Sequence, residues 1–239
     1  MADTSAADQP VDQASVPDRS ARASWRDRSV ERSLRGARAK AESRSDSFVT
    51  AAAEILQTTG RTDFTVQQIV EASSTSLRSF YQHFASKDEL LLAVFEEVVW
   101  SATERWRAEI EAEIGDIESD PLKALHQLLG RTFGLTGSRQ GPAISKAFTA
   151  FQRQWSEARP AEFARILQPL HDLLSDIVTA GARAGVFRTD IEPSTLALLM
   201  MQTLVAEGQT FALGTHLGDQ GLTTENLFRY FTHGLVGPA

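Results

Sequence analysis

The sequence predicts an all-α protein with a small N-terminal head and a larger C-terminal helical domain. Apolar residues recur every three or four positions over much of the chain, as they do along one face of an amphipathic helix. No stretch alternates apolar and polar residues in the way that a half-buried strand does. Glycines, prolines and capping residues separate the periodic stretches. They divide the chain into short helices in its N-terminal part and longer helices after them.

The head is expected to begin with a helix over residues 45–59. Phe48, Ile55 and Leu56 recur there at helical spacing, and Gly60 follows as a natural stop. The longer helices of the C-terminal domain are predicted at Pro121–Thr136, Pro142–Trp155, Ala161–Ala184, Pro193–Leu213 and Thr223–Leu235. 

The stretch after the first helix contains two short helices and the start of a long one, each with its own capping residue. Thr65 is the expected N-cap of the first, and Gln68 is its reciprocal partner in a capping box. Ser76 is the expected cap of the second helix and Ser86 that of the third, where Glu89 completes another capping box. Two helices joined by so short a turn have the spacing of a helix-turn-helix, whose second helix enters the major groove of DNA.

The segment TVQQIVEASSTSLRSFYQHFASKDELLLAVFEEV resembles the head of the tetracycline-repressor (TetR) family. The family pattern of Tyr-x-His-Phe followed by Ser-Lys-x-x-Leu is matched without a gap by Tyr81, His83, Phe84, Ser86, Lys87 and Leu90. The chain departs from the family in the turn, where Ser73, Ser74 and Thr75 replace the usual Ala, Gly and Val. Since a glycine takes a left-handed conformation cheaply, either Ser74 holds mild strain or the turn is built differently.

The recognition helix carries the residues expected to read sequence. Arg78 and Ser79, with Leu77, lie near its start, where side chains reach base edges. A guanidinium there can pair with guanine O6 and N7, and Leu77 is placed to touch a thymine methyl. The resemblance places Tyr81, His83 and Lys87 on phosphates, although ring packing of Tyr81 and a solvated Lys87 remain alternatives. The predicted DNA-contacting residues are Thr65, Gln67, Ser76, Leu77, Arg78, Ser79, Tyr81, His83 and Lys87.

Charge is distributed unevenly along the chain, whose net charge is −7. Between Asp18 and Ser47 there are nine basic and five acidic residues, a net +4 that leaves −11 for the rest. This Arg-rich segment is either a solvated tail or an arm that lies on DNA. We expect three regions: a disordered extension over 1–43, the DNA-binding head over 44–95, and a helical effector-binding and dimerisation domain over 96–239.

Other features exclude several classes of protein. The chain has no cysteine, so disulfide and thiolate chemistry are absent. Its acidic, proline-containing N-terminus does not fit a signal peptide, and no apolar run approaches the roughly 20 residues that span a bilayer, so a cytoplasmic location is expected. Five scattered histidines and the lack of a phosphate-binding glycine loop argue against an enzyme, and no cofactor or metal is expected.

Two stripes of apolar residues suggest a homodimer. One contains Phe163, Ile166, Leu170, Leu173, Leu174 and Ile177, followed by the small residues Ala180, Gly181 and Ala184. The other contains Leu196, Leu199, Met200, Thr203 and Leu204. Periodicity alone describes ordinary core stripes equally well. The resemblance favours a four-helix bundle made with a second subunit, which presents two heads to a two-fold-symmetric operator.

The C-terminal domain is also rich in aromatic residues, which form either a core or the wall of an apolar ligand pocket. The predicted pocket residues are Trp106, His126, Phe133, Phe148, Phe151, Gln152, Trp155 and Gln202. The family implies a repressor that a lipophilic small molecule releases from DNA. The alternative is a DNA-binding dimer that senses no ligand and uses its C-terminal domain only for dimerisation or for protein partners.

Overall fold

The computed structural model describes residues 43–136, 143–213 and 223–235, which contain nine helices and no strand. We call the helix over the described residues 43–59 α1. The others are α2 (Val66–Ala72), α3 (Leu77–His83), α4 (Lys87–Ile114), α5 (Pro121–Thr136), α6 (Ala143–Ala158), α7 (Pro160–Arg183), α8 (Pro193–Leu213) and α9 (Thr224–Leu235). The predicted all-α class is confirmed, whereas the predicted extension lies outside the described residues except for Ser43.

The described residues from Arg44 onward form one compact unit. Within it, α7 packs against both α4 and α8, and α5 lies against α7, α8 and α9. No helix in the described ranges is both long enough and apolar enough to cross a membrane. The predicted helices match the observed ones to within a few residues, and the largest difference is that α6 continues three residues beyond its predicted end, to Ala158.

An aromatic cluster fixes α1 against the recognition helix α3. The ring of Phe48 meets that of Phe80 edge-on, with centroids 5.5 Å apart, and lies 6.1 Å from that of Phe84. All three side chains are buried. Because Phe80 and Phe84 are four residues apart, they turn one face of α3 inward and leave the opposite face to solvent.

The predicted helix caps are present, with one correction. Thr65 and Gln68 form the full capping box at α2, and the Ser76 hydroxyl accepts from the amide of Ser79 at α3. The Ser86 hydroxyl likewise accepts from the Glu89 amide, but the Glu89 carboxylate accepts from the amide of Ala85 instead of Ser86. The second capping box is therefore displaced by one residue, although it still binds an amide that precedes the helix.

One residue in the turn between α2 and α3, Ser74, adopts the left-handed conformation. It occupies the position at which the family usually has glycine. Ser74 has a φ of +52°, a conformation that an L-residue adopts at a cost. Neighbouring bonds hold the turn in place: the Ser73 hydroxyl donates to the carbonyl of Ile69 at 2.7 Å, and the Thr75 amide donates to the carbonyl of Val70 at 3.0 Å. Strain at Ser74 is thus confirmed, and the turn keeps the helix-turn-helix geometry.

Helix α4 contributes to two apolar clusters. Its N-terminal half, up to Phe95, packs into the cluster that contains the head, and its residues from Ala102 to Ile110 belong to a second cluster formed with α5, α7, α8 and α9. The head cluster also includes Phe151 of α6 and Ile166 of α7. The apolar core of the head is therefore continuous with helices of the larger domain, and the division at residue 95 remains a prediction.

The apolar stripe that we predicted on α7 as a dimer face lies inside the chain. Leu173, Leu174 and Ile177 are fully buried against neighbouring helices of the same chain. The small residues have an internal role as well, because a Cβ atom at Gly181 would lie 2.0 Å from Cδ2 of Phe187. The core interpretation is thus correct for α7, and Gly181 makes room for Phe187 instead of a second subunit.

Candidate DNA-binding surface and ligand cavity

The solvent-facing side of α3 carries the side chains predicted to read DNA. Leu77 is 44% exposed and Tyr81 60% exposed, unusually open positions for large apolar residues, and Arg78 is exposed beside them. The Ser79 hydroxyl differs, because it is buried and no described residue gives it a hydrogen bond. The open face thus presents a guanidinium, a leucine and a phenol.

The remaining polar residues of this surface mainly hold the two helices. The hydroxyls of Thr65 and Ser76 are occupied as N-caps, and the side-chain amide of Gln67 donates to Glu71 at 2.9 Å. His83 is half-buried, with its ring 6.1 Å from that of Phe48. These residues position the recognition helix in the DNA-free chain.

Lys87 lies at the start of α4 but reaches back toward the loop before α2. Its ammonium group donates to the carbonyl oxygens of Thr62 at 2.9 Å and of Phe64 at 3.1 Å, and it lies 5.5 Å from the centroid of the Phe64 ring. An ammonium has three protons, so two are used within the protein and one remains for another acceptor. Lys87 therefore ties α4 to the entrance of the helix-turn-helix.

Replacing Lys87 with Met should lower the free energy of unfolding by about 1.5–3 kcal/mol, because two backbone carbonyls lose a charged donor. Denaturant unfolding without DNA measures this loss. Lys123→Met, at an exposed position on α5, is the matched control and should change little. Equal stability of the two variants would show that the carbonyl bonds add nothing. The proposed contact of Lys87 with a DNA phosphate is tested by a separate measurement. Loss of that contact should make the slope of log DNA affinity against log salt concentration shallower by about 0.9.

A cavity of about 110 Å³ lies among α4, α5, α6, α7 and α8. Of the eight predicted pocket residues, three line it: Trp106, Phe148 and Gln152. Its other polar walls are threonines, among them Thr103 and Thr132, which are both buried. None of the described residues that line it has an ionisable side chain. The cavity is therefore small, bordered by five helices and almost wholly apolar.

The other five predicted pocket residues lie elsewhere. Phe151 and Trp155 are buried in the cluster shared with the head, and Phe133 packs against the second cluster. His126 lies 3.6 Å from the carboxylate of Glu225, and Gln202 lines a surface groove. The sequence analysis missed the leucine, valine and threonine walls because such residues have no signal that separates a cavity from a packed core.

A second concave surface runs along α8 and α9. It is a groove of about 910 Å³ where Leu199 is 53% exposed and Tyr230 70% exposed. At its edge, Arg188 donates to the carbonyl of Gly234 at 3.1 Å and pairs with Asp190, a pairing that lowers the pKa of the Asp190 carboxyl. Of the apolar residues we assigned to a dimer face, Leu199 is thus the exposed one, while Leu196, Met200 and Leu204 are buried.

The head matches a known family of DNA-binding proteins. Residues 48–94 fit the model for bacterial regulatory proteins of the tetR family, a range that includes α2, α3 and the residues of the α3 surface. The head is a tetR-family head. The resemblance on Tyr81, His83 and Lys87 is therefore confirmed at the level of the family.

Similarity to known proteins extends beyond the head. The chain is 28% identical over 171 residues to the HTH-type transcriptional repressor NicS of Pseudomonas putida, which covers 71% of this chain and 77% of that protein. Its fold is similar to FadR of Bacillus subtilis in complex with stearoyl-CoA, with a TM-score of 0.62, 17% identity, and coverage of 79% and 98% of the two chains. It is similar also to RolR in complex with resorcinol, with a TM-score of 0.57, 15% identity, and coverage of 82% and 89%.

Proposed function

We propose that this tetR-family regulator is a repressor that binds a palindromic operator as a homodimer and leaves it when a small molecule enters the C-terminal domain. The observation that carries the DNA-binding part is the exposed face of α3, held outward by the buried Phe80 and Phe84. The repressor assignment rests on similarity to NicS, which is named a transcriptional repressor. The cavity among five helices supports the sensing part.

The dimer is proposed to form through α8 and α9. Leu199 and Tyr230 lie on one groove and are among the most exposed large apolar side chains in the described part of the chain. Exposed apolar surface of this kind is typical of an association face. A two-fold axis through that face gives an isologous interface, and it presents two copies of α3 to two half-sites.

On DNA, the roles of the α3 residues are proposed to differ. Arg78, at the start of the helix and free to move in solvent, pairs with a guanine edge, and Leu77 contacts a thymine methyl. Tyr81, His83 and Lys87 contact the flanking phosphates, with Thr65, Gln67 and Ser76 near the same backbone, whereas the buried hydroxyl of Ser79 is assigned no DNA contact. Base contacts then set the sequence preference, and phosphate contacts set the salt dependence.

The test begins with selection of bound fragments from random DNA, followed by a panel of operators with single-base changes. Arg78→Ala should weaken binding to the best operator by about 1–3 kcal/mol and remove the preference at one base pair per half-site. Arg105→Ala, at an exposed arginine of α4 outside the head, is the matched control and should leave the preference unchanged. 

A different outcome would reassign Arg78. If Arg78→Ala lowers affinity equally for every operator in the panel, the guanidinium binds a phosphate, and Leu77 is then the residue that recognises the base sequence. If selection yields no preferred sequence at all, the protein binds DNA without an operator, and the proposed repressor function fails.

The release mechanism is proposed to use two states of the regulator. A ligand weakens operator binding only if it binds the state with low DNA affinity better than the other. Phe148 lines the cavity and meets Phe95 of the head cluster, with ring centroids 5.1 Å apart. Occupation of the cavity therefore acts on a side chain that already packs against the core beneath the head.

A further inference from the structure

The walls of the cavity restrict the chemistry of its ligand. We propose that the effector is a neutral molecule about the size of one six-membered ring that carries a hydroxyl group, a phenol being the simplest example. This inference rests on the proposed ligand-responsive function, because it assigns a ligand class to the same cavity. Three independent properties of the cavity carry it: volume, charge and the hydrogen-bonding state of its polar walls.

The volume sets the size of the ligand. The cavity holds about 110 Å³. An engineered apolar cavity of about 150 Å³ in another protein binds benzene, whereas pockets for drug-sized ligands occupy about 300–1,000 Å³. A single small ring therefore matches the size of this cavity, whereas a long acyl chain or a steroid skeleton is too large to fit within it.

The charge of the lining excludes ionised ligands. No Lys, Arg, His, Asp or Glu is among the described residues that line the cavity. A carboxylate or ammonium group moved there from water would lose its hydration without gaining a counter-ion, and that desolvation is costly in an apolar enclosure. A neutral ring has no such cost, and the walls formed by Trp106, Phe148 and Leu170 bury its apolar surface.

The polar walls select for a hydroxyl group. Thr103 donates its hydroxyl hydrogen to the carbonyl of Val99 at 2.8 Å, and Thr132 donates to that of Leu128 at 2.8 Å. A threonine hydroxyl has one hydrogen, so toward the cavity Thr103 offers only an acceptor. A ligand without a donor cannot use that acceptor, whereas a hydroxyl group can donate to it.

Gln152 supplies the strongest indication of a polar ligand. Its side chain lines the cavity and is only 6% exposed, yet no hydrogen bond joins it to another described residue. Buried side-chain amides are normally hydrogen-bonded because an unpaired one is costly. A bound hydroxyl group can both donate to the amide oxygen and accept from the amide nitrogen. We therefore assign Gln152 as the residue that determines specificity for the ligand.

The experiment compares three single-ring probes on the full-length protein without DNA: phenol, toluene and benzoate. Calorimetry and thermal unfolding should show phenol binding with a dissociation constant about tenfold or more below that of toluene, and benzoate should show no binding. Gln152→Leu should reduce the phenol-to-toluene ratio to near one while toluene still binds. Gln154→Leu, the same substitution at an exposed position of α6, is the matched control and should preserve the ratio.

A second variant tests the proposal even if Gln152→Leu does not fold. Thr103→Val removes one acceptor with little change of shape, and it should weaken phenol binding without weakening that of toluene. Benzoate binding as tight as phenol, or equal binding of phenol and toluene to the unmodified chain, would overturn the proposed ligand class. If a long-chain alcohol such as decanol binds and releases the operator while no single-ring probe binds, the ligand class is wrong but the proposed function stands.

The proposed ligand class can also be correct while the proposed release from DNA is wrong, and the experiment separates these two outcomes. If phenol binds with the expected preference and Gln152→Leu removes that preference, the assignment of the cavity is correct whatever happens to DNA. Operator affinity measured with and without phenol then tests the proposed function separately. Unchanged operator affinity at saturating phenol would show a selective cavity in a regulator that is not released by its occupation.

Discussion

Leu199→Arg should convert the proposed dimer into a monomer and lower operator affinity by roughly a thousandfold, toward the level of non-specific binding. Leu199 lies on α8 with 53% of its surface exposed, so an arginine there does not disturb the core of the chain. In the dimer, however, the guanidinium would be buried against an apolar copy of the same groove. An unpaired buried charge of that kind is incompatible with a stable interface.

Sedimentation equilibrium and operator titration measure the two consequences on the same sample. Leu122→Arg on α5 is the matched control, since Leu122 is also a partly exposed leucine, at 37%, and lies outside the α8–α9 groove. Tyr230→Arg should act in the same way as Leu199→Arg. A Leu199→Arg protein that stays dimeric with full operator affinity would move the interface to another face.

Gly181→Ala should destabilise the C-terminal domain by at least about 2–3 kcal/mol, at the upper end of the usual cost of overpacking a core. A Cβ atom at this position would meet three carbons of the Phe187 ring, the nearest at 2.0 Å. The ring has little room to move because Phe187 is buried and its amide donates to the carbonyl of Gly181 at 3.0 Å. The added methyl group must therefore push α7 away from the loop that follows it.

Urea unfolding of a double-mutant cycle checks this explanation. Phe187→Leu shortens the ring side chain, so the double variant should be more stable than the sum of the two single changes predicts. Gly130→Ala is the control, because its Cβ would make an ordinary 3.6 Å contact in the middle of α5, and there alanine should be neutral or stabilising by up to about 1 kcal/mol. A simple sum of the effects at positions 181 and 187 would argue against the collision.

Local features of the head could be predicted from the sequence because they depend on neighbouring residues. The caps at Thr65, Ser76 and Ser86 each bind an amide three positions away, so the sequence contains both partners. The strained turn at Ser74 follows from a missing glycine in a motif of fixed length. The buried pair Phe80 and Phe84 follows from helical spacing alone.

Features that depend on distant residues could not be predicted in this way. Periodicity showed that α7 has an apolar face, but whether that face meets its own chain or a partner depends on where α4 and α8 lie. The bonds of Lys87 join residues 23 and 25 positions apart, and no pattern in the sequence indicates them. The cavity needs gaps between five helices, which composition cannot reveal, so five of the eight predicted pocket residues lie elsewhere.

Helix α4 is long enough that a small rotation about one of its ends gives a large displacement of the other end. It has 28 residues, so at 1.5 Å of rise per residue it is about 42 Å long. A rotation of about 5° around its C-terminal end would move its N-terminal end, which lies inside the head next to Ser86, by about 3.7 Å, close to the 3.4 Å step between successive base pairs. In a symmetric dimer the two displacements combine. If a ligand in the cavity caused such a rotation in both subunits of the proposed dimer, the two recognition helices would shift by about two base-pair steps relative to each other.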